Sequence, residues 1–327
     1  MRKRWPLALT VMLALAGCGS PPQSHGPNQA HAAKKQHATQ APQATQSHAL
    51  YSAVAVSIDN QAGAWPQSGL SRASLVFEFM AEGGITRYLA VFWTHGAAKI
   101  GPVRSTRIYF DNVAAAYSWP LAHAGGNVDA LKAIGPLGIK NLDQIYGSAQ
   151  WFWRSSGRLP PHNLYTSTNL LEQGIRQDKY QPAGIPAFAS GKLKGQPTRS
   201  TLIDYTPGAY TVGWVYQGNG IYQRQINGQN VETQAGNPVR AANIAIIWAP
   251  MFADPDPYTP GAVNFNLTNG GSGYIMSAGV RQGITWTFGQ GGFRFYLKGG
   301  KQAPFAQGQT WVEVLPAGTS ATFQPGS

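Results

Sequence analysis

The sequence predicts a β-rich α+β fold in two domains, and three observations support this class. Strand-like and helix-like segments alternate through the first domain, residues 50–180. A stretch rich in Gly, Pro, Gln and Lys follows at about 176–200, and we place the connection between the domains at 181–200. Residues 201–318 contain many short strand-like segments separated by Gly-rich turns, which indicates a mostly antiparallel sandwich or barrel-like sheet.

The first domain opens with three predicted strands. They cover residues 51–58, 74–80 and 85–93, where apolar and β-branched residues dominate. Asp59-Asn60 closes the first strand, and Glu82-Gly83-Gly84 is a turn between the other two. We therefore expect the second and third strands to form a hairpin.

Two helices are predicted after these strands. Gly101-Pro102 breaks the chain, and apolar residues then recur at helical spacing within 105–118, so we expect an amphipathic helix there. A short strand at 120–124 precedes a second helix at 128–134, with Asn127 as its N-cap. Helices in the first domain and strands in the second make the overall class α+β.

The second domain is predicted to be entirely β. Residues 210–216 and 221–226 flank Gly218-Asn219-Gly220, a pattern typical of a hairpin. The other predicted strands cover residues 242–248, 273–277, 284–288, 293–297 and 310–315.

The N-terminus has the features of a lipoprotein signal peptide over residues 1–18. Basic residues begin the chain, and the apolar run at 7–16 is too short for a membrane-spanning helix, which needs about 20 residues. Leu15-Ala16-Gly17-Cys18 then matches a site for cleavage and lipidation, which predicts Cys18 as the acylated N-terminal residue. The alternative is an ordinary secretory signal with an incidental cysteine. Residues 19–49 are of low complexity and are expected to form a flexible linker.

Charge and cysteine content limit the function further. Without the basic residues of the signal peptide, 22 Lys and Arg stand against 13 Asp and Glu, a net charge of +9. A basic surface favours anionic partners such as lipid head groups or cell-wall polymers. Export argues against nucleic acid as a partner. Cys18 is the single cysteine, which excludes an intrachain disulfide and a Cys-ligated metal site.

Several longer motifs occur in a fixed order between Val56 and Thr168. They are Ser57-Ile58-Asp59-Asn60, Pro66-Gln67-Ser68-Gly69-Leu70, Ala81-Glu82-Gly83-Gly84-Ile85-Thr86-Arg87, Ile100-Gly101-Pro102-Val103-Arg104-Ser105-x-Arg107, His123-Ala124-Gly125-Gly126 and Pro161-His162-Asn163-Leu164-Tyr165-Thr166-Ser167. In this order the chain resembles the YerB-like bacterial lipoproteins, and Gly308–Val314 is similar to their second domain. The resemblance covers residues 50–317 and implies layered sheets with helices, an extracytoplasmic lipid anchor and no established activity or catalytic residue.

Three arginines are the first candidates for a ligand site. Arg104 and Arg107 lie three residues apart at a predicted helix start, beside free backbone N–H groups, and Arg87 lies on a neighbouring strand. Such a set suits phosphate or carboxylate. The alternative is internal ion pairing, in which Asp111 pairs with Arg107 and Glu78 or Glu82 neutralises the others.

Two histidine-containing loops complete the candidate ligand-binding set. His123 ends a strand before Gly125-Gly126, a glycine pair that opens the second helix and could hold an anion. His162-Asn163 follows a Pro-Pro turn and could bind a ligand or act as a base. In both loops the alternative is a hydrogen-bonded structural histidine and a geometric turn.

Two classes of function remain open. The first is a non-catalytic lipoprotein on the outer face of the cell membrane, which needs no cofactor and binds an anionic or glycan envelope component or an envelope protein. The second is an envelope phosphotransferase or hydrolase acting on a pyrophosphate-linked substrate, since the layout is loosely similar to the LytR-CpsA-Psr phosphotransferases. Under this alternative Asp59 and Glu82 would hold a divalent cation, and Asp59 would converge with Arg87, Arg104 and Arg107 in one cleft.

Overall fold

The computed structural model describes residues 50–326. Three α-helices lie in the first half, at α1 Ile108–Tyr117, α2 Val128–Ala133 and α3 Thr168–Gln177. None of the helices in residues 50–326 has the length and apolar character needed to cross a membrane. Cys18 and the linker at 19–49, for which the sequence predicts lipidation and flexibility, lie outside the described residues.

The first four strands of the first half lie close to the predicted positions, and three further short strands were not predicted. The strands of this half are β1 Val54–Asp59, β2 Leu75–Met80, β3 Thr86–Phe92, β4 Leu121–His123, β5 Asn141–Asp143, β6 Trp153–Arg154 and β7 Leu164–Tyr165. Every residue of β1, β2 and β3 is buried, which explains their nearly continuous apolar sequences. The second and third strands pair antiparallel, as predicted.

The second half contains only strands among its regular elements in the described chain. They are β8 Ala189–Ser190, β9 Gln196–Thr206, β10 Tyr210–Tyr216, β11 Tyr222–Ile226, β12 Gln229–Asn230, β13 Arg240–Ala241, β14 Asn243–Ala249, β15 Met251–Ala253, β16 Val263–Phe265, β17 Gly271–Ser277, β18 Val280–Gly289, β19 Gly292–Leu297, β20 Pro304–Phe305, β21 Thr310–Pro316 and β22 Ser320–Pro325. The α+β, β-rich class is thereby confirmed.

One mixed sheet of 16 strands joins the two halves of the described chain. Its main path runs β12-β11-β10-β9-β18-β17-β14-β21-β2-β3-β1-β4-β5. The junction is β21, which pairs parallel with β14 on one side and with β2 of the first half on the other. Residues near the C-terminus therefore complete the sheet of the first domain, and no sequence pattern predicts this pairing.

The far end of the sheet folds back over its centre. Side chains of β9, β10 and β11 contact β2 and β21, although these strands are far apart in the strand order. The Tyr210 hydroxyl donates to Glu78 Oε1 at 2.8 Å, and Trp214 Nε1 donates to Glu313 Oε1 at 2.8 Å. This packing agrees with the expected sandwich or barrel-like arrangement and encloses one apolar core.

A buried charge cluster lies between the facing strands. Glu78 and Glu313 are opposite each other in the β2–β21 register, and Arg224 of β11 pairs with both, with Nη1 at 2.9 Å from Glu313 Oε1. All three side chains are completely buried. The Arg224 guanidinium also lies 4.4 Å from the centre of the Trp311 ring, a favourable cation–π distance.

Three local features differ from the details of the prediction. The first helix begins at Ile108, because Arg107 keeps an extended backbone as its N-cap. Residues 181–200 contain β8 and the start of β9, so they are not only a connection. Helix α3 is absent from the predicted elements, although Ser167 caps it by accepting a hydrogen bond from Leu170 N at 3.2 Å.

The Glu313 carboxyl predicts a pH dependence of stability. Burial, and next the charge of Glu78, raise its pKa from 4.5 to about 8. Between these values the folded protein holds a proton that the unfolded chain has lost, so this group makes the free energy of unfolding fall as pH rises from about 4.5 to about 8. Glu313→Gln removes this group's titration, and urea unfolding at several pH values should show a flatter profile. An unchanged profile would contradict the assignment.

Candidate functional site

Asp59 is the centre of the first group of candidate residues. It ends β1 and is completely buried, and its Oδ1 accepts a hydrogen bond from Gln61 N at 3.0 Å, which forms a turn. Its Oδ2 lies 2.7 Å from His162 Nδ1 and 3.1 Å from Arg104 Nε. One buried carboxylate therefore holds an arginine and a histidine from two different loops.

The outer parts of Arg104 and His162 face solvent. Their side chains are 22% and 20% exposed. Within residues 50–326, neither the Arg104 Nη groups nor His162 Nε2 has a hydrogen-bond partner in the protein. The His162 ring packs closely on Gly63, where an added Cβ would lie 2.9 Å from His162 Cδ2. At its inner end His162 is held by a hydrogen bond to Asp59, whereas Arg104 contacts Asp59 through an ion pair without a hydrogen bond at Nε. The outer ends of both side chains are available.

Glu82 neutralises the other two arginines. It pairs with Arg87 Nη2 and lies 2.6 Å from Arg107 Nη2. Burial by itself would raise the Glu82 pKa, but the charges of Arg87 and Arg107 outweigh it and lower the pKa to about 2. The remaining bonds of these arginines go to backbone carbonyls of Ser105 and Thr106. Arg87 and Arg107 are thus buried structural residues.

The expected pairing of Arg107 with Asp111 is wrong. Asp111 Oδ1 accepts instead from Thr106 Oγ1 at 2.5 Å. Burial, and to a smaller extent the charge of Asp129, raise the Asp111 pKa to about 8. Since helix α1 starts only at Ile108, Arg104 and Arg107 also do not share a helical face.

The loop around His123, Gly125 and Gly126, which was predicted to hold an anion, is occupied by the protein's own hydrogen-bonding groups. His123 is completely buried, with Nδ1 2.9 Å from Gly125 O and Nε2 2.7 Å from Asn141 Oδ1. Gly125 N donates to Asp143 Oδ1 at 2.9 Å, and Gly126 packs against a threonine side chain. His123, Gly125 and Gly126 therefore make the internal contacts that the alternative of a structural histidine and a geometric turn describes, and their role as ligand groups stays a prediction.

Asn163 is also structural. It is 6% exposed, its Oδ1 accepts from Arg154 Nη1 at 2.8 Å, and its Nδ2 donates to Ser155 O at 3.2 Å. The side chains of His162 and Asn163 therefore go to different partners. Of the candidate ligand residues, Arg104 and His162 are the two with free outer groups in the described chain.

A basic groove that was not predicted from the sequence lies next to the loops that carry the candidate residues. It has a volume of about 600 Å³ and lies where residues 68–72 and 96–99 meet residues 233–237. Arg72 and Lys99 are its charged residues, and no carboxylate lines it in the described part of the chain. Lys99 Nζ donates to Gln234 Oε1 at 2.8 Å and lies 4.0 Å from the centre of the Tyr165 ring. These two cations are distant in sequence, so only the fold brings them together.

Arg158 connects the groove with the Asp59 group. It donates to the backbone oxygens of Ala64 and Pro66, in the loop that also carries Gly63 against His162. Burial, and next the charge of Arg158, lower the pKa of Lys99. We define the basic face as Arg72, Lys99, Arg104, Arg158 and His162, which all border residues 59–72 and their neighbours.

One geometric requirement of the phosphotransferase alternative can be compared with the structure. That mechanism requires Asp59, Arg87, Arg104 and Arg107 to be available in one cleft. Here Asp59 is engaged by Arg104 and His162, and Glu82 by Arg87 and Arg107. Among the residues that the structure describes, no group of three or more His, Cys, Asp or Glu side chains has the geometry of a metal site.

Comparison with known proteins agrees with the sequence motifs. The models of the N-terminal and C-terminal domains of a protein family of unknown function, DUF3048, match residues 38–181 and 202–312. The chain is 30% identical to the protein named "Putative lipoprotein YerB" of Bacillus subtilis strain 168, over 84% of each chain. The chain belongs to the YerB-like family. The crystal structure of YerB protein from Bacillus subtilis matches with a TM-score of 0.74 at 29% identity, over 83% of this chain and 94% of that one.

The different roles of Arg104 and Arg107 can be tested by measuring how the loss of each side chain changes the free energy of unfolding. Arg107→Ala should lower the free energy of unfolding by about 3 kcal/mol, because it removes one partner of a buried ion pair. Arg104→Ala should cost about 1 kcal/mol, because the side chain is partly exposed and His162 remains on Asp59. Urea unfolding at pH 7 measures both values. A larger loss for Arg104→Ala would reverse the assignment.

Proposed function

We propose that this protein is a lipid-anchored, non-catalytic binding protein of the cell envelope that takes an anionic envelope polymer on its basic face. The anchor is supported by the Leu15-Ala16-Gly17-Cys18 sequence and by the name of the Bacillus subtilis relative. A linker of about thirty residues after Cys18 would allow the folded part to reach beyond the membrane surface.

One observation carries the binding proposal. Arg104 and His162 share the buried Asp59 carboxylate, while their outer nitrogen atoms have no protein partner in residues 50–326. Arg104 Nε lies at ion-pair distance from Asp59 Oδ2 without forming a hydrogen bond, and its two Nη groups match two oxygens of a phosphate or carboxylate. Because the inner contacts already restrict both side chains, binding costs less conformational entropy.

The groove adds binding groups to this surface, so that a longer ligand can be bound. Arg72 and Lys99 add two cations, and Ser68, Ser71 and Thr233 add hydroxyl groups. A repeating polymer with phosphate or carboxylate groups and sugar or polyol hydroxyls fits such a set. Arg158 donates to the loop whose Gly63 packs on His162, and its charge acts on Lys99 of the groove, so we expect one polymer to contact both.

We expect the full chain to bind a poly(glycerol phosphate) probe. The binding experiment uses the Cys18→Ala variant, which we expect in the soluble fraction, whereas the unchanged chain should pellet with membranes. Titration calorimetry should show that Arg104→Ala with His162→Ala weakens binding about tenfold or more, because charge-assisted hydrogen bonds are lost. Higher salt should weaken binding by screening.

A matched control removes the same number of cations elsewhere. Arg199 and Lys301 are exposed and lie in the second half of the chain, so Arg199→Ala with Lys301→Ala should leave the affinity nearly unchanged. Neutral dextran should not bind. If both double variants weaken binding equally, the affinity depends only on net charge. If the polyanion does not bind at all, a protein partner is favoured. Either result contradicts the proposal.

A further inference from the structure

A second cluster of polar side chains lies beside helix α1, where α2 and β16 contact that helix, and the proposed function does not use it. It joins the start of α2 to the segment 254–264, around the β15–β16 hairpin. Asn127 Nδ2 donates to Asp254 Oδ2, and Asn264 Nδ2 donates to Asp129 Oδ2 at 2.9 Å. These crossed contacts bring two carboxylates and two amides from distant parts of the chain together.

Further negative charge surrounds these four residues. Asp256 Oδ2 accepts from Val128 N at 3.0 Å, and Asp254 Oδ1 accepts from Asp256 N at 3.1 Å. Asp111 of α1 is also nearby, but burial, and to a smaller extent the charge of Asp129, raise its pKa to about 8, so near neutral pH it is mostly protonated and adds a polar group rather than a charge. Four of the 13 acidic residues of this basic protein are thus gathered in one place. None of the four forms an ion pair with Lys, Arg or His within the described residues.

Unpartnered oxygen atoms provide an independent observation. Asn127 Oδ1, Asn264 Oδ1 and Asp111 Oδ2 are buried and have no hydrogen-bond partner in residues 50–326. Asn127 is 2% exposed, Asn264 9% and Asp111 0%. The amide nitrogens of both asparagines already bind carboxylates of the cluster, so their oxygens lie in the same cluster. Buried acceptors without donors are costly, and an ion is one of the few groups that satisfy several at once.

We propose that Asp129, Asp254, Asn127 and Asn264 bind a calcium ion. The donors are all oxygen, which suits a hard cation and excludes a preference for Zn²⁺ or Cu²⁺. Carboxylate and amide oxygens in an irregular set with waters match Ca²⁺, which takes six to eight oxygen ligands in flexible geometry. The amide oxygens are necessary, because no three acidic side chains alone complete a site in the described chain.

The ion would fix the loop at 254–262 to the first half of the molecule. This loop already contacts the Glu82–Gly84 turn, since Gly83 N donates to Gly261 O at 3.4 Å. Calcium would replace repulsion between the carboxylates by attraction to a shared cation. Its effect is therefore on stability and on the order of this loop, and it is independent of ligand binding at the basic face.

The test uses the full chain treated with EGTA and then given CaCl2. We expect a Kd of about 0.1–1 mM, in the range of extracellular sites, and a rise in Tm of about 2–4 °C at roughly ten times the Kd. Asp129→Asn and Asp254→Asn keep the side-chain shape but should abolish the calcium-dependent shift. Asp178→Asn, an exposed acid at the end of α3, should keep it.

A second measurement does not depend on the variants. Tb³⁺ bound in the cluster should emit on excitation of Tyr109, which lies close enough to Asp129 for their charges to interact, and Ca²⁺ should displace it. MgCl2 should shift Tm less than CaCl2 at the same concentration. The proposal fails if Ca²⁺ produces neither a Tm shift nor Tb³⁺ displacement, if the shift survives both Asp→Asn changes, or if Mg²⁺ acts as strongly.

Discussion

Arg224 places a positive charge in the interior of this fold, and the arrangement of the sheet depends on how that charge is held. Glu78 and Glu313 stand side by side on two parallel strands that come from opposite ends of the described chain. Burial, and next the charge of the adjacent Glu78, raise the pKa of Glu313, and the Arg224 guanidinium in contact with both side chains offsets the cost of burying negative charge there. Because Arg224 belongs to β11, the same contact draws the far end of the sheet over its centre.

This buried cluster continues to the basic face through hydrogen bonds. Thr86 Oγ1 donates to Glu78 Oε1 at 2.6 Å and accepts from Asn60 Nδ2 at 2.6 Å. Asn60 Oδ1 in turn accepts from Trp65 Nε1 and Gln67 Nε2. Asp59 and Asn60 therefore divide their roles, since Asn60 anchors the turn to the core while Asp59 holds Arg104 and His162. The position of the candidate site is thus tied to the charge cluster that joins the two halves.

The sequence predicts local structure well where the pattern is local. The buried strands β1, β2 and β3, the hairpin around Asn219 and the position of α1 all follow from periodicity and turn residues. Pairings between distant segments leave no such pattern, so the insertion of β21 beside β2 and the groove at Arg72 and Lys99 could not be foreseen. The three arginines lie near one another, but the sequence does not indicate their different contacts, because which of them reaches solvent depends on where Glu82 and Asp59 lie. The Asn127-x-Asp129 and Asp254-x-Asp256 spacings were visible in the sequence and could have indicated the acidic cluster.

Arg224 makes the two halves one cooperative unit, and native-state hydrogen exchange tests this. In the unchanged protein, amides of β2, β10, β11 and β21 should exchange with similar free energies near that of global unfolding. In Arg224→Met, which leaves Glu78 and Glu313 without their shared cation, exchange should accelerate in all four strands together. Protection that is lost in β10 and β11 while β2 and β21 stay as in the unchanged protein would contradict the account.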